Sequence, residues 1–242
     1  MTDIASLVEK LTDEISARFV ARIRYWTPDL NILEAQNVIG GLLARICSLA
    51  IEFALSPYYW NAMCSQIILR SMVEAVINLG WIALEPVERA KLFVDYGLGQ
   101  DKLDYEHLKA GNKTYSVSEE TLNRIADGLA AQRHLIFTDV NVGTWSNISV
   151  AKMAAEAELA SYALLFAGFC GTVHSNWLLL HDRFIRLSED DTPQIPKSMP
   201  VNLGYLLMLA TFVDQALEIY DAVCDYPETE EENLIDLVQR HD

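Results

Sequence analysis

Positive charge is what this sequence has least of. Its 242 residues carry 18 Lys and Arg against 34 Asp and Glu, a formal net charge of -16. Attraction to nucleic-acid backbones depends on basic side chains that release counterions, so a broad nucleic-acid surface is disfavoured. Phosphate-cradling Gly-x-x-x-x-Gly-Lys loops, Gly-x-Ser-x-Gly elbows and His-Glu-x-x-His zinc helices are missing. So is the Glu-x-x-His spacing of carboxylate-bridged metal bundles. Cys47, Cys64, Cys170 and Cys224 form no Cys-x-x-Cys pair, and no secretory leader opens the chain. Those features predict reduced, buried thiols in a cytoplasmic protein, with no metal or cofactor.

Formal charge is also lacking from Leu159 to Leu180, a run long enough to cross a bilayer. His174, Ser175 and Asn176 interrupt it, Glu156 and Glu158 precede it, and neither flank has the Lys and Arg cluster of an oriented span. A helix surrounded by other helices is the better reading, with no membrane partner.

What is abundant is helix-forming sequence. Thr27-Pro28, Ser56-Pro57 and Glu85-Pro86 recur 29 residues apart, each placing proline where a first helical turn tolerates it. Helices are predicted near 3–24, 28–55, 57–84 and 86–110, then from Ser118-Glu119-Glu120 to Arg133, over 150–158, from there to Arg186, over 203–223 and over 233–239. No segment alternates as a strand would. The expected fold is all-α, an up-and-down bundle of long antiparallel helices with additional shorter ones. A single domain is expected over 1–225, followed by an acidic helical tail over 226–242. From Asp214 to Asp242 there are ten acidic residues and one Arg. The run 228–232 reads as a solvated helix start or as a surface for a basic partner. Arg18, Arg22 and Arg24 form a small basic patch on the first helix, open to the acidic tail, to a partner, or to nothing.

The strongest chemical candidates lie on the third helix, where Gln66, Arg70, Glu74 and Asn78 follow one another at four-residue spacing and share a face. If buried, the Arg70–Glu74 pair marks a site; if wet, it is a surface stripe. A later helix repeats the spacing with Tyr162, Phe166, Cys170 and His174, and Trp177 and His181 are expected on the same side. Gly168, Gly171 and Ser175 form a small-residue track there. Cys170 with His174 has a chelating spacing but no second ligand cluster. A neutral His174 beside Glu74 would carry protons or contact a ligand.

The order of these features resembles a large bacterial all-helical family of unknown function. The matching residues are Leu69-Arg70-Ser71-Met72-Val73-Glu74, then Phe93-Val94-Asp95-Tyr96, then Thr144-Trp145-Ser146 leading into Met153-Ala154-Ala155-Glu156, and last Tyr162 with Val173-His174-Ser175. The resemblance spans roughly 30 to 185. It implies that Arg70, Glu74, Trp145, Tyr162 and His174 share one neighbourhood, and it carries no reaction. The chain is more distantly similar to the higher eukaryote and prokaryote nucleotide-binding bundles, many of them metal-independent ribonucleases of toxin and phage-defence systems. It lacks their Arg followed after four to six residues by His.

Two functions fit. One is a cytoplasmic binding or regulatory protein, a component of a bacterial stress or phage-defence system, with a protein partner or a second copy as its counterpart. The other is a nuclease-like or nucleotide-modifying hydrolase that uses Arg70, Glu74 and His174 without a metal and acts on RNA or a small ligand. In either case Gln66, Asn78, Trp145 and Tyr162 are the candidate ligand contacts.

Overall fold

The computed structural model describes residues 4–111, 117–131, 143–186, 192–193, 198–227 and 231–240. Every regular element among them is helical, and the chain is all-α. The elements are α1 (Ile4–Tyr25), α2 (Leu33–Ala54), α3 (Cys64–Leu84), α4 (Pro86–Ala110), α5 (Glu119–Ala131), α6 (Val150–Glu156), α7 (Ala160–Val173), α8 (Trp177–Leu180), α9 (Gly204–Cys224) and α10 (Leu234–Gln239). A short 3-10 turn, Pro57–Tyr59, precedes α3, and a π turn, His181–Ile185, continues α8. These elements divide into two compact units, Met1–Leu84 with Val150–Asp242, and Glu85–Ser149.

The three proline signals have three outcomes. Pro86 opens α4 at its first turn, as expected. Pro57 opens only the 3-10 turn, and α3 waits for Asn61, whose Oδ1 accepts from the backbone N–H groups of Met63 and Cys64. Pro28 starts no helix. Asp29 Oδ1 accepts from Asn31 N–H, and Gln36 clasps the turn by accepting from Asp29 N–H and donating to the Thr27 carbonyl. These local bonds offer the backbone an alternative to helix, and α2 begins only at Leu33. Ser118 caps α5 as its sequence predicts, its Oγ accepting from Thr121 N–H. The segment between α5 and α6 is described only from 143 onward, and the expected helix end at Arg133 lies outside the described residues.

In the larger unit α2, α3 and α9 supply the core. Leu43, Ile46, Ala50 and Phe53 of α2, Leu69, Met72, Val73 and Val76 of α3, and Leu209, Phe212, Val213 and Ala216 of α9 are buried where these three helices pack together. α1 packs on α2 and α10, while α6 and α7 pack on α3. The chain approaches closely at Gly80, where an added Cβ would lie 2.7 Å from Leu159 Cδ1 and displace that side chain. Trp81, the next residue, donates from Nε1 to Glu156 on α6 at 2.7 Å. In the smaller unit α4 packs on α5, and Phe93 meets Trp145 edge-on with ring centroids 5.0 Å apart.

Among the described residues two helices, α2 and α3, are long and apolar enough to cross a membrane, and α7 with the bent segment after it passes the same test as a broken pair. The exposed residues of α2, however, are Glu34, Asn37, Gly41, Arg45, Ser48 and Glu52. Spaced three and four apart, they form one continuous water-facing stripe, which gives α2 the pattern of a half-buried bundle helix.

Instead of continuing to Arg186, the uncharged helix ends at Val173. Ser175 takes a left-handed conformation at φ 49°, its N–H bonds to the Thr172 carbonyl, and Asn176 N–H bonds to the Gly171 carbonyl. That reciprocal pair is a Schellman stop, here with serine where glycine is usual. Asn176 then caps α8 by accepting from Leu179 N–H, and the two helices meet at 66°.

Two of the three arginines of the α1 patch, Arg18 and Arg22, receive acidic residues of the C-terminal segment, while Arg24 is exposed. Arg22, with 3% of its side chain exposed, donates from Nε and Nη2 to the two oxygens of Asp221 on α9 at 2.7 and 2.6 Å. Nη2 also reaches Glu231 at 3.2 Å, and the guanidinium lies 4.7 Å from the ring centre of Tyr226. Arg18, also buried, donates to the Glu232 carbonyl at 2.5 Å and stands 3.7 Å from Asp214, whose carboxylate accepts from the backbone N–H groups of Leu234 and Ile235 at the start of α10. Burial opposes the charge on Arg22, but Asp221 and Glu231 more than offset it and hold the guanidinium above its ordinary pKa. For Asp214 burial prevails: it raises the carboxyl's pKa, against its charged form, despite those backbone donors and Arg18. The cavity over this network has a volume of about 690 Å³.

Of the four free thiols only Cys47 is buried; Cys64, Cys170 and Cys224 are half-exposed. Burial pushes the Cys47 thiol up to about 12 from an ordinary 9.0, with Arg22 pulling the other way. Because the folded thiol keeps its proton where the unfolded one has lost it, stability falls as pH rises from about 9 to about 12. Urea unfolding across that range should show this slope in the wild type and a shallower one in Cys47→Ala. For the arginine network, Asp221→Ala strands a buried guanidinium, whereas Arg22→Met strands a carboxylate already a quarter in water. Urea titration should therefore show Arg22→Met losing about 2–4 kcal/mol and Asp221→Ala at least as much.

Candidate functional site

The four-spaced stripe on α3 is real, and α7 is what it meets. Buried apolar residues on either side of the stripe, Leu69, Met72, Val73, Val76 and Ile77, fix α3 in the core. That rotation leaves Gln66, Arg70, Glu74 and Asn78 at the helix margin, each half-buried. Arg70 Nη1 donates to Glu74 Oε2 at 2.9 Å, Nε donates to Cys170 Sγ at 3.4 Å, and the guanidinium lies 4.6 Å from the centre of the Phe166 ring. One turn earlier, the Thr172 hydroxyl donates to Gln66 Oε1. Phe166 and Cys170 are themselves four apart, so one row of α7 docks onto one row of α3.

The electrostatics follow from this seating. Burial works against the charge on Arg70, yet the bond to Cys170 and the charge of Glu74 raise its pKa above the ordinary value. Arg70 keeps 22% of its side chain exposed and Glu74 37%. The pair is thus neither the fully buried ion pair nor the fully wet stripe that the spacing allowed. It forms a polar seam along the α3–α7 contact.

The expected triad does not assemble. His174 sits at the C-terminal cap of α7, where the helix has ended, and its side chain is exposed. No hydrogen bond or ion pair joins it to Arg70 or Glu74. Trp177 and His181 do not extend its row, because the 66° bend turns them away; they pair with each other, ring centroids 5.7 Å apart. Tyr162 is buried and packs on Phe212 of α9, with burial as the main cause of a hydroxyl pKa raised to about 12. Trp145 belongs to the smaller unit. Among the described residues no group of three or more His, Cys, Asp and Glu side chains converges as a metal site would require.

What the sequence reading missed is that Cys170 and Thr172, not His174, answer the stripe on α3. The signal for Cys170 was present in its spacing from Phe166. Thr172 carried none.

Residues 36–193 match the model of one protein family. The chain belongs to DUF5677, a family of unknown function. No curated protein and no solved structure matches it. The DUF5677 match takes in the whole α3–α7 seam, with Gln66, Arg70, Glu74, Cys170 and Thr172 inside it and the arginines of α1 outside it.

Removal of either end of the Arg70–Glu74 pair should have unequal effects. Glu74→Gln deletes one half-exposed ionic contact, and thermal unfolding should register a loss below about 1 kcal/mol. Arg70→Met also deletes the ring contact and the bond to sulfur, so about 1–2 kcal/mol should be lost, with Arg70→Lys in between.

Proposed function

We propose that this DUF5677 protein works by binding, as a cytoplasmic recognition or regulatory component of a bacterial stress or defence system. The observation that carries the reading is the outer side of α7 and α8. Leu164 on α7 is 77% exposed, and on α8 Trp177 is 69% and Leu178 65% exposed, while no charged residue lies between Leu159 and Leu180. Exposed apolar side chains on an uncharged stretch of a protein of net charge -16 mark a place for an apolar partner. The polar stripe of α2 favours an aqueous setting. The system and the compartment are those expected from the resemblance and from the thiols, and they stand as part of the proposal.

A second reading, metal-independent hydrolysis of RNA or a nucleotide, draws on Arg70, whose planar guanidinium suits phosphate and remains partly open to solvent. The seam supports it less well, since Arg70 is already bonded to Glu74 and Cys170 and stacked on Phe166.

A photo-crosslinking residue at position 164 or 178, with position 48 on the α2 stripe as control, tests the binding reading in producing cells. Discrete protein adducts from the first two and none from the third are expected. No adduct from any position would overturn it. Incubation of wild type, Arg70→Ala and His174→Ala with cellular RNA should give equal, negligible turnover; RNA cleavage lost in both variants would favour the hydrolase.

A further inference from the structure

The larger unit has two unlike ends. Asn202 N–H donates to the Trp60 carbonyl at 2.6 Å, and the Thr172 hydroxyl donates to Gln66, so the α2–α3 connection, the end of α7 and the start of α9 lie together. At the other end, a Cβ on Gly80 of α3 would meet Leu159, just before α7, and Ile219, late in α9. Asp221 and the arginine network belong to that second end, about 25 Å along α9 from Gly204.

At the first end charge is missing from all three stretches that meet. No Asp, Glu, Lys or Arg occurs from Phe53 to Leu69, from Leu159 to Leu180 or from Ser198 to Val213. Each stretch nevertheless exposes large apolar side chains here: Leu55, Tyr58, Tyr59 and Ile67 from the first, Trp177 from the second and Val201 from the third. Tyr58, on the 3-10 turn, is 88% exposed. The asparagines among them are turned to local backbone, Asn61 bonding Tyr58, Met63 and Cys64 and Asn202 bonding Gly204.

We infer that this end of the bundle rests on the surface of a phospholipid bilayer, with Tyr58, Tyr59 and Trp177 at headgroup depth. The inference goes beyond the binding reading above and leaves Leu164, on the outer side of α7, to that reading. Tyrosine and tryptophan favour such a depth because an apolar ring ends in a polar atom. The exposed side chains project from a turn and from helix ends, not along one helix face, and a deformable surface receives such tips together. Charge fixes the orientation. Anionic lipid repels carboxylates, but those around Arg18 and Arg22 stand about three Debye lengths away at physiological salt, where the repulsion is screened. Beyond Trp177 the chain continues into a segment in which exposed Arg183 and Arg186 outnumber Asp182, a balance that suits lipid phosphates. A charged protein surface would find no matching group in the three stretches. Contact at the tip leaves the polar stripe of α2 in water and requires no span.

Flotation of the full chain with vesicles of phosphatidylcholine and a minority of phosphatidylglycerol tests the inference. Tyr58→Glu and Trp177→Glu alter the tip, and Leu164→Glu and Arg45→Glu are controls away from it. Wild type and controls should float, and the tip variants should partition at least about tenfold more weakly. Phosphatidylcholine brominated on its acyl chains should quench wild-type tryptophan emission and quench Trp177→Phe far less. All four positions face solvent or its margin in the single chain, so circular dichroism should show unchanged helicity. A wild type that does not float at about 1 mM lipid would overturn the inference, as would flotation equal in all variants. Self-association without lipid that Tyr58→Glu abolishes, with no flotation, would also overturn it and assign the tip to a second copy. Protein adducts from position 164 in the absence of any vesicle binding would end the lipid contact but leave the binding reading intact.

Discussion

A guanidinium with 3% of its surface in water constrains this protein more than any other single group. Arg22 lies on the first helix, and a charge so deeply placed is tolerated only with well-aligned anionic partners. The chain supplies them from its far end, with Asp221 bidentate and Glu231 behind it. Neighbouring Arg18 fixes the Glu232 carbonyl and sits near Asp214, which caps the last described helix. The acidic segment is thereby folded against the start of the protein, and α10 places Leu234, Leu237 and Val238 in the core. Hydrophobic burial supplies the larger driving force. The ion network selects which surface the tail covers.

Charge disposition then separates the molecule into two kinds of surface. On the α1 side, buried arginines and clustered carboxylates make a polar assembly closed upon itself. On the α7 side no charged residue lies between Leu159 and Leu180, and the ion pair Arg70–Glu74 sits in the half-buried seam, with Gln66, Cys170 and Thr172, where α7 meets α3. Polar contacts at such a margin fix the rotation of one apolar helix on another, which greasy side chains specify poorly. The same seating that satisfies Arg70 turns Leu164 and Gly168 outward.

Much of this was legible in the residues. The spacing of apolar side chains marked the long helices, Pro86 and Ser118 marked two of their starts, and the four-residue rows on α3 and α7 predicted two polar or mixed stripes. Pro28 misled because Asp29 and Gln36 satisfy the backbone locally before any helix begins. The stop after Val173 could not be read, since a serine in the left-handed region has no sequence marker as glycine would. That single residue moved His174 from the interior row to an exposed cap and removed it from the expected site. The destination of Arg18 and Arg22 was also open, because pairing across some 200 residues is a property of topology rather than of local pattern.

The account depends most on Arg22 and Asp221 acting as a unit, and a double-mutant cycle with Arg22→Met, Asp221→Leu and the double variant measures that directly. A coupling energy on the order of 2 kcal/mol or more, with the double variant markedly more stable than the sum of single losses requires, is predicted. Additive losses, with coupling near zero, would contradict the claim that this pair joins the two ends of the chain.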